Sequence, residues 1–147
     1  MTPMSQDDVV AFMRTGSRTG KLAVTRADGR PHVTPVWFDV DDATGEVVFL
    51  TQVESVKGAS LRRDGRVSIC VDEMEYPFAF ARIDGEVASL TGYDDDPDTL
   101  LHWSTETCRR YVGDERAEAF GRRNASPGEM LVRIRPTSYL GARGVAD

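Results

Sequence analysis

Cysteine is nearly absent from this chain: Cys70 and Cys108 are the only two, one in an apolar run and one in a helical run. Two such isolated thiols argue against a disulfide framework and read as buried, reduced cysteines. Histidine is equally scarce. His32 and His102 stand far apart and in no spacing used by zinc or iron sites, so no metal site is expected. Positive charge is in deficit, and a formal net charge of −6 argues against a general nucleic-acid binder, which needs a basic face against phosphate. No run approaches the roughly 20 apolar residues of a membrane helix. The first residues also lack the basic-then-apolar order of a secretion signal, so no membrane association is expected and the expected location is the cytoplasm. Gly-rich dinucleotide and Walker fingerprints, a nucleophile elbow, internal repeats and low-complexity tracts are all missing. An enzyme with this sequence leaves its reaction to a cofactor.

What is present is a globular composition, 40% hydrophobic and 29% charged over 147 residues. That length suffices for one domain with a real core and is short for two, so residues 1–147 are read as a single domain. Ser5 and Asp8 form a capping-box pattern ahead of Val9, Val10, Phe12 and Met13, a short helix ending at Gly16. Leu22 to Thr25 then read as a strand that turns at Asp28-Gly29. The next strand is expected over Pro31–Val40, and its prolines, which cannot donate to a ladder, place it at an edge or at a bend. Turn residues Asp41, Asp42 and Gly45 lead into a third strand, Glu46–Gln52. Ser55–Arg63 reads as a short helix, followed by strands over Arg66–Asp72 and Phe78–Leu90, the latter with a bulge near Gly85. Helices over Thr99–Tyr111 and Glu115–Arg123 precede a closing strand in which Met130, Val132 and Ile134 alternate with Leu131, Arg133 and Arg135. Six or so strands joined mostly by tight turns, with few helices, favour a closed or nearly closed antiparallel barrel over a sandwich, and the alternating strand-helix rhythm of a parallel nucleotide-binding sheet is absent.

Three constellations carry candidate chemistry. Thr34-Pro35-Val36-Trp37-Phe38 combines a proline-interrupted strand, whose backbone groups are left unpaired, with an aromatic wall; it suits a planar ring, but chemistry alone favours an ordinary barrel strand with a core Trp, since aromatic residues in strands are ordinary. Thr51, Ser55, Lys57 and Ser60 supply hydroxyls, an ammonium and the amides of a helix start, the set that holds a phosphate. Arg62 and Arg63, which follow, also fit a solvated helix C-terminus. Tyr76-Pro77-Phe78-Ala79-Phe80-Ala81-Arg82 either covers a ligand ring or marks a core face at period two, with Arg82 free to pair with Asp84 or Glu86.

Together, Asp28-Gly29-Arg30-Pro31, Thr34 to Phe38, Lys57 with Leu61-Arg62-Arg63-Asp64, Arg66-Val67-Ser68-Ile69, Gly85-Glu86 and Val132-Arg133-Ile134-Arg135-Pro136 resemble the split β-barrel flavin and deazaflavin oxidoreductases related to pyridoxamine 5'-phosphate oxidase. The resemblance spans residues 5 to 141 and is strongest to the actinobacterial branch that uses coenzyme F420. It implies a mainly β fold, the FMN-binding type of split antiparallel barrel with a few peripheral helices. It also implies a homodimer with cofactor sites at the subunit interface. Carried over position by position, Lys57 contacts the cofactor phosphate, Thr51, Ser55, Ser60 and Arg63 assist, and Pro35, Val36 and Trp37 line the ring. Ser60 stands where many relatives have asparagine. Tyr139 and its neighbours are expected to reach the partner's site. The implied activity is hydride transfer from reduced F420 to a small organic electrophile bound against Trp37. The alternatives are an FMN-binding oxidase or flavin reductase, and a non-catalytic carrier or sensor.

Overall fold

The computed structural model describes residues 1–147. Its elements in chain order are β1 (Thr2–Pro3), α1 (Gln6–Arg14), β2 (Gly20–Thr25), β3 (Pro31–Val36), β4 (Asp39–Val40) and β5 (Val47–Gln52), then α2 (Val56–Arg63), β6 (Arg66–Glu73) and β7 (Ala79–Gly92). They end with α3 (Pro97–Val112), α4 (Asp114–Asn124) and β8 (Glu129–Arg143). The expected capping box is present, with Ser5 and Asp8 exchanging side-chain and backbone hydrogen bonds at the start of α1.

The strands form one antiparallel sheet in the order β3-β2-β6-β7-β8-β5-β4, with β1 paired to the end of β8. The two ends of this sheet are consecutive in the chain. The stretch expected as one strand from Pro31 to Val40 is two: β3 pairs only with β2, β4 pairs only with β5, and Trp37-Phe38 joins them. The barrel is thus closed covalently where it is not closed by a ladder, and this gap is its split. Pro31 and Pro35 are tolerated because β3 is an edge, as their missing N–H groups require.

Nineteen buried residues fill the barrel, among them Phe38, Phe49, Ile69, Ile83 and Ile134, and α1 closes one end with Val9, Phe12 and Met13. The unbroken apolar run of β5 follows from burial on both faces: Val47 and Phe49 point into the barrel, while Val48 packs outside it with Leu100, Leu131 and Ala125 beneath α3 and α4. In β7 the inward residues are Ala81 and Ile83, not Phe78 and Phe80. Phe78 is 41% exposed in the turn before the strand, so the period-two aromatics mark the outer face and its approach. The expected bulge occurs, as a register shift between Asp84 and Gly85, and a second follows between Val87 and Ser89. β8 runs eight residues beyond Arg135, because beyond the bulges it continues to pair with the first half of β7.

Both peptide groups of Phe38, at the split, are satisfied by α3. Tyr111 Oη accepts from Phe38 N at 3.4 Å and donates to the Arg18 carbonyl at 3.0 Å. Arg110 donates to the carbonyls of Phe38 (2.7 Å), Gly16 (2.9 Å) and Met13, with its guanidinium 4.6 Å from the Phe38 ring centroid. One side chain therefore fastens α3 to the split, to the end of α1 and to the turn after it. Replacing Arg110 by Ala leaves these three carbonyls without a donor; a loss of about 3 kcal/mol is expected, measured as a lowered midpoint in urea unfolding.

Candidate functional site

A cavity of about 330 Å³ opens beside the split, between the C-terminal end of β5, the start of α2 and the α3–α4 pair. Each wall has a structural cause. Pro35, Val36 and Trp37 come from the end of β3, an edge strand whose outer backbone groups the sheet does not use. The Trp37 ring is held flat by Tyr111, with centroids 5.0 Å apart and planes at 4°, and is flanked by Phe120 of α4. The indole is therefore a fixed wall with its Tyr111 side covered.

The β5–α2 turn forms the floor. Ser55 is the N-cap of α2: its hydroxyl donates to Gln52 O at 2.7 Å and accepts from Gly58 N at 3.0 Å. Since that proton is spent on Gln52, the 3.2 Å contact with Thr51 Oγ1 has Thr51 as donor. Ser55 thus builds the turn, and the groups left facing the cavity are the Lys57 ammonium and the amino end of α2. Only glycine fits at position 58, because a Cβ there would collide with the carbonyl oxygens of Gln52 and Val53. The chain has two lysines. Lys21 is paired with Asp72 at 2.6 Å, whereas no carboxylate lies within ion-pair distance of Lys57, which is half-buried in the cavity lining.

Six of the residues expected at the site line this one cavity: Pro35, Val36, Trp37, Thr51, Ser55 and Lys57. The other two lie elsewhere. Ser60 is buried on the barrel side of α2, at 2% exposure, and Arg63 reaches the Thr25 carbonyl at 2.8 Å. Arg62 likewise donates to Val53 O, at 3.1 Å, so both arginines fasten the C-terminal end of α2 to neighbouring backbone. Tyr76 is 71% exposed and stacks edge-on against Phe78, far in the fold from the cavity, and Arg82 pairs with Asp84. Tyr139 packs against the barrel core, and it is Leu140, 47% exposed, that faces outward.

Sequence reasoning missed the helical wall and one carboxylate. Ser104, Thr107 and Cys108 line the cavity from α3 and Asn124 from α4. Their signal was faint: small polar residues at i, i+3 and i+4 on a helix whose other buried position is Leu100. Thr107 Oγ1 is buried without a hydrogen-bond partner. Ser104 is fixed by donating to Gly121 O at 2.9 Å, where α4 crosses so closely that a Cβ on Gly121 would strike Thr105. Burial pushes the Cys108 thiol up, and Asn124 Nδ2 donates to its sulfur at 3.5 Å, so it is a neutral wall group rather than a nucleophile. Cys70 is half-buried, more open than expected. Glu129, opposite Gln52 in the β5–β8 ladder, also borders the cavity; burial raises its carboxyl pKa, against smaller opposing effects of a Gln52 hydrogen bond and the Lys57 charge.

The chain is similar in fold to a conserved hypothetical protein, Rv2991, of Mycobacterium tuberculosis: TM-score 0.78, 28% identity, over 96% of this chain and 86% of that one. It also superposes on an F420 reductase, with TM-score 0.65 and 23% identity over 84% of this chain and 90% of that one. A haem storage protein of Vibrio cholerae, HutZ, gives a TM-score of 0.69 and 19% identity over 98% of this chain and the whole of that one. Among curated proteins none matches in sequence. The family model for pyridoxamine 5'-phosphate oxidase matches residues 5–140. With that match over nearly its whole length, and a split antiparallel barrel beneath it, the chain belongs to the pyridoxamine 5'-phosphate oxidase family.

Proposed function

We propose that this protein is an F420-dependent reductase that works as a homodimer. The observation that carries the reading is the pairing, in one cavity, of an unpaired ammonium at a helix start with an edge-strand and indole wall at the split. That donor set fits a planar ring bearing a phosphate tail. Lys57 and the amino end of α2 hold the phosphate, and the turn that Thr51 and Ser55 fix sets its position. Backbone groups of Pro35 to Trp37 meet the ring edge. When bound, reduced F420 supplies a hydride; the chain supplies position and a wall that keeps water out. Burial raises the pKa values of both Cys108 and Tyr111, and the Tyr111 hydroxyl already donates to the Arg18 carbonyl, so neither is assigned as a proton donor. A volume of about 330 Å³ is at the small end for a cofactor site. A second copy completing the groove accounts for this, and the outward sheet face with Val33 (59% exposed) and Leu140 (47% exposed) offers apolar surface for it.

Titration of the purified protein with F420 and with FMN, followed by fluorescence, tests the anchor. F420 is expected to bind at micromolar concentration or tighter, and Lys57→Ala to weaken it about tenfold or more. Unchanged binding by the variant would remove the phosphate assignment. For turnover, reduced F420 is mixed with enones, quinones and nitroaromatics and its absorbance followed. Protein-dependent oxidation by at least one class is expected; tight binding with none across the panel favours a carrier. Tighter binding of FMN than of F420 favours the flavin enzyme of the same fold.

A further inference from the structure

The charged side chains that line the cavity are one ammonium, Lys57, and one carboxylate, Glu129. Their formal charges cancel. The amino end of α2 adds about half a positive charge, so the lining carries about half a net positive charge, less than a single anion brings. Arg123, on α4 beside Asn124, has no carboxylate partner; its Nε donates to Asn124 Oδ1 at 3.3 Å and its guanidinium lies 4.4 Å from the Phe120 ring centroid. Arg62 and Arg63 are held by the carbonyls of Val53 and Thr25, and Arg133, next on the outer face of β8, is fastened between Asp41 at 2.9 Å and Glu46 at 3.3 Å. Glu129 is fixed in place as well. Its N–H donates to Ser126 O at 3.0 Å, its carbonyl accepts from Tyr93 N at 3.1 Å, and its Cα is registered against Gln52.

A phosphate monoester loses its second proton near pH 6 and carries close to two charges at neutral pH; a phosphodiester carries one. We propose that Glu129 makes the Lys57 anchor selective for a singly charged phosphodiester tail over a doubly charged phosphomonoester. This rests on the reading of Lys57 as a phosphate anchor. The second charge of a monoester doubles the repulsion from the Glu129 carboxylate across a partly desolvated cavity. A diester carries half that charge and meets half that repulsion from the same carboxylate. The carboxylate stands there at a cost to the fold, since burial disfavours its ionised form.

The test compares FMN with the cyclic phosphodiester of riboflavin, which share a ring and differ in tail charge, and uses riboflavin as the tail-free control. Affinities are measured by fluorescence titration for the wild type and for Glu129→Gln. The variant is expected to bind FMN about tenfold more tightly and to change its affinity for the diester less than about threefold. Equal changes in both affinities, or none, overturn the selectivity role and leave the Lys57 anchor standing. If neither phosphate compound binds the wild type better than riboflavin does, the anchor itself fails and the selectivity with it. Folding of the variant is read separately from its melting temperature. A carboxyl whose pKa is raised on folding destabilises the fold above that pKa and not below the unfolded value of about 4.3. Glu129→Gln is therefore expected to melt higher than the wild type at neutral pH, with the difference vanishing below about pH 4.

Discussion

The Phe38 peptide is the joint on which the structure depends. A sheet whose first and last strands are consecutive in the chain has no ladder to offer the residues between them, and a buried peptide group without partners costs about 1–3 kcal/mol. Tyr111 and Arg110 answer both ends of that peptide from one turn of α3. Everything near the cavity follows from this docking. It fixes the rotation of α3 about its axis, and so directs Ser104, Thr107 and Cys108 toward the split rather than toward solvent. It places the Tyr111 ring under Trp37. Through the Met13 and Gly16 carbonyls it also ties the helix that plugs the barrel to the helix that walls the site.

The fold was legible in the sequence where the local chemistry was unambiguous. The Ser5 and Asp8 cap, the Asp28-Gly29 turn, the edge strand marked by Pro31 and Pro35, and the inward Met130, Val132 and Ile134 all stand where propensity and periodicity put them. The break after Val36 was not legible. Trp37-Phe38-Asp39-Val40 has the pattern of a continuing strand, and only the switch of partner from β2 to β5 ends it. Phe78 and Phe80 misled for a related reason: period two identifies a face, and not which face is covered. The site was half legible. Lys57 stood out as a basic helix start in an acidic chain. The α3 wall did not, because small polar residues on a helix are ordinary until another element is seen to stand off from them. Arg63 and Ser60 could be assigned by spacing, but spacing does not reveal that a side chain is already engaged.

Charge shapes this site by subtraction. Most cations near the barrel are committed: Arg14 to Asp42 and Asp39, Arg18 to Glu73, Lys21 to Asp72, Arg66 to Asp64, Arg82 to Asp84, and Arg135 to Glu86. Exposed pairs of this kind contribute ~0–1 kcal/mol each to stability. Their larger consequence is for the field around the cavity. In a chain of net charge −6, Lys57 is a cation in the cavity lining with no carboxylate in ion-pair distance. Against the repulsion an anion meets from the net charge, this uncompensated ammonium is a local attraction.

That arrangement also explains how a barrel of this kind separates holding from chemistry. In the proposed reading the anchor touches only a tail, at a helix start whose geometry is set by Ser55 and Gly58. The proposed ring wall is edge-strand backbone, which presents the same N–H and C=O groups whatever side chains the strand carries. Neither contact fixes the identity of the ring. What remains to decide it is the α3–α4 wall, where Ser104 and Asn124 are already hydrogen-bonded and Thr107 is not. A wall of small, mostly satisfied groups excludes little by shape, so discrimination falls to charge at the tail. Glu129, the one carboxylate bordering the cavity, sits where that discrimination is made.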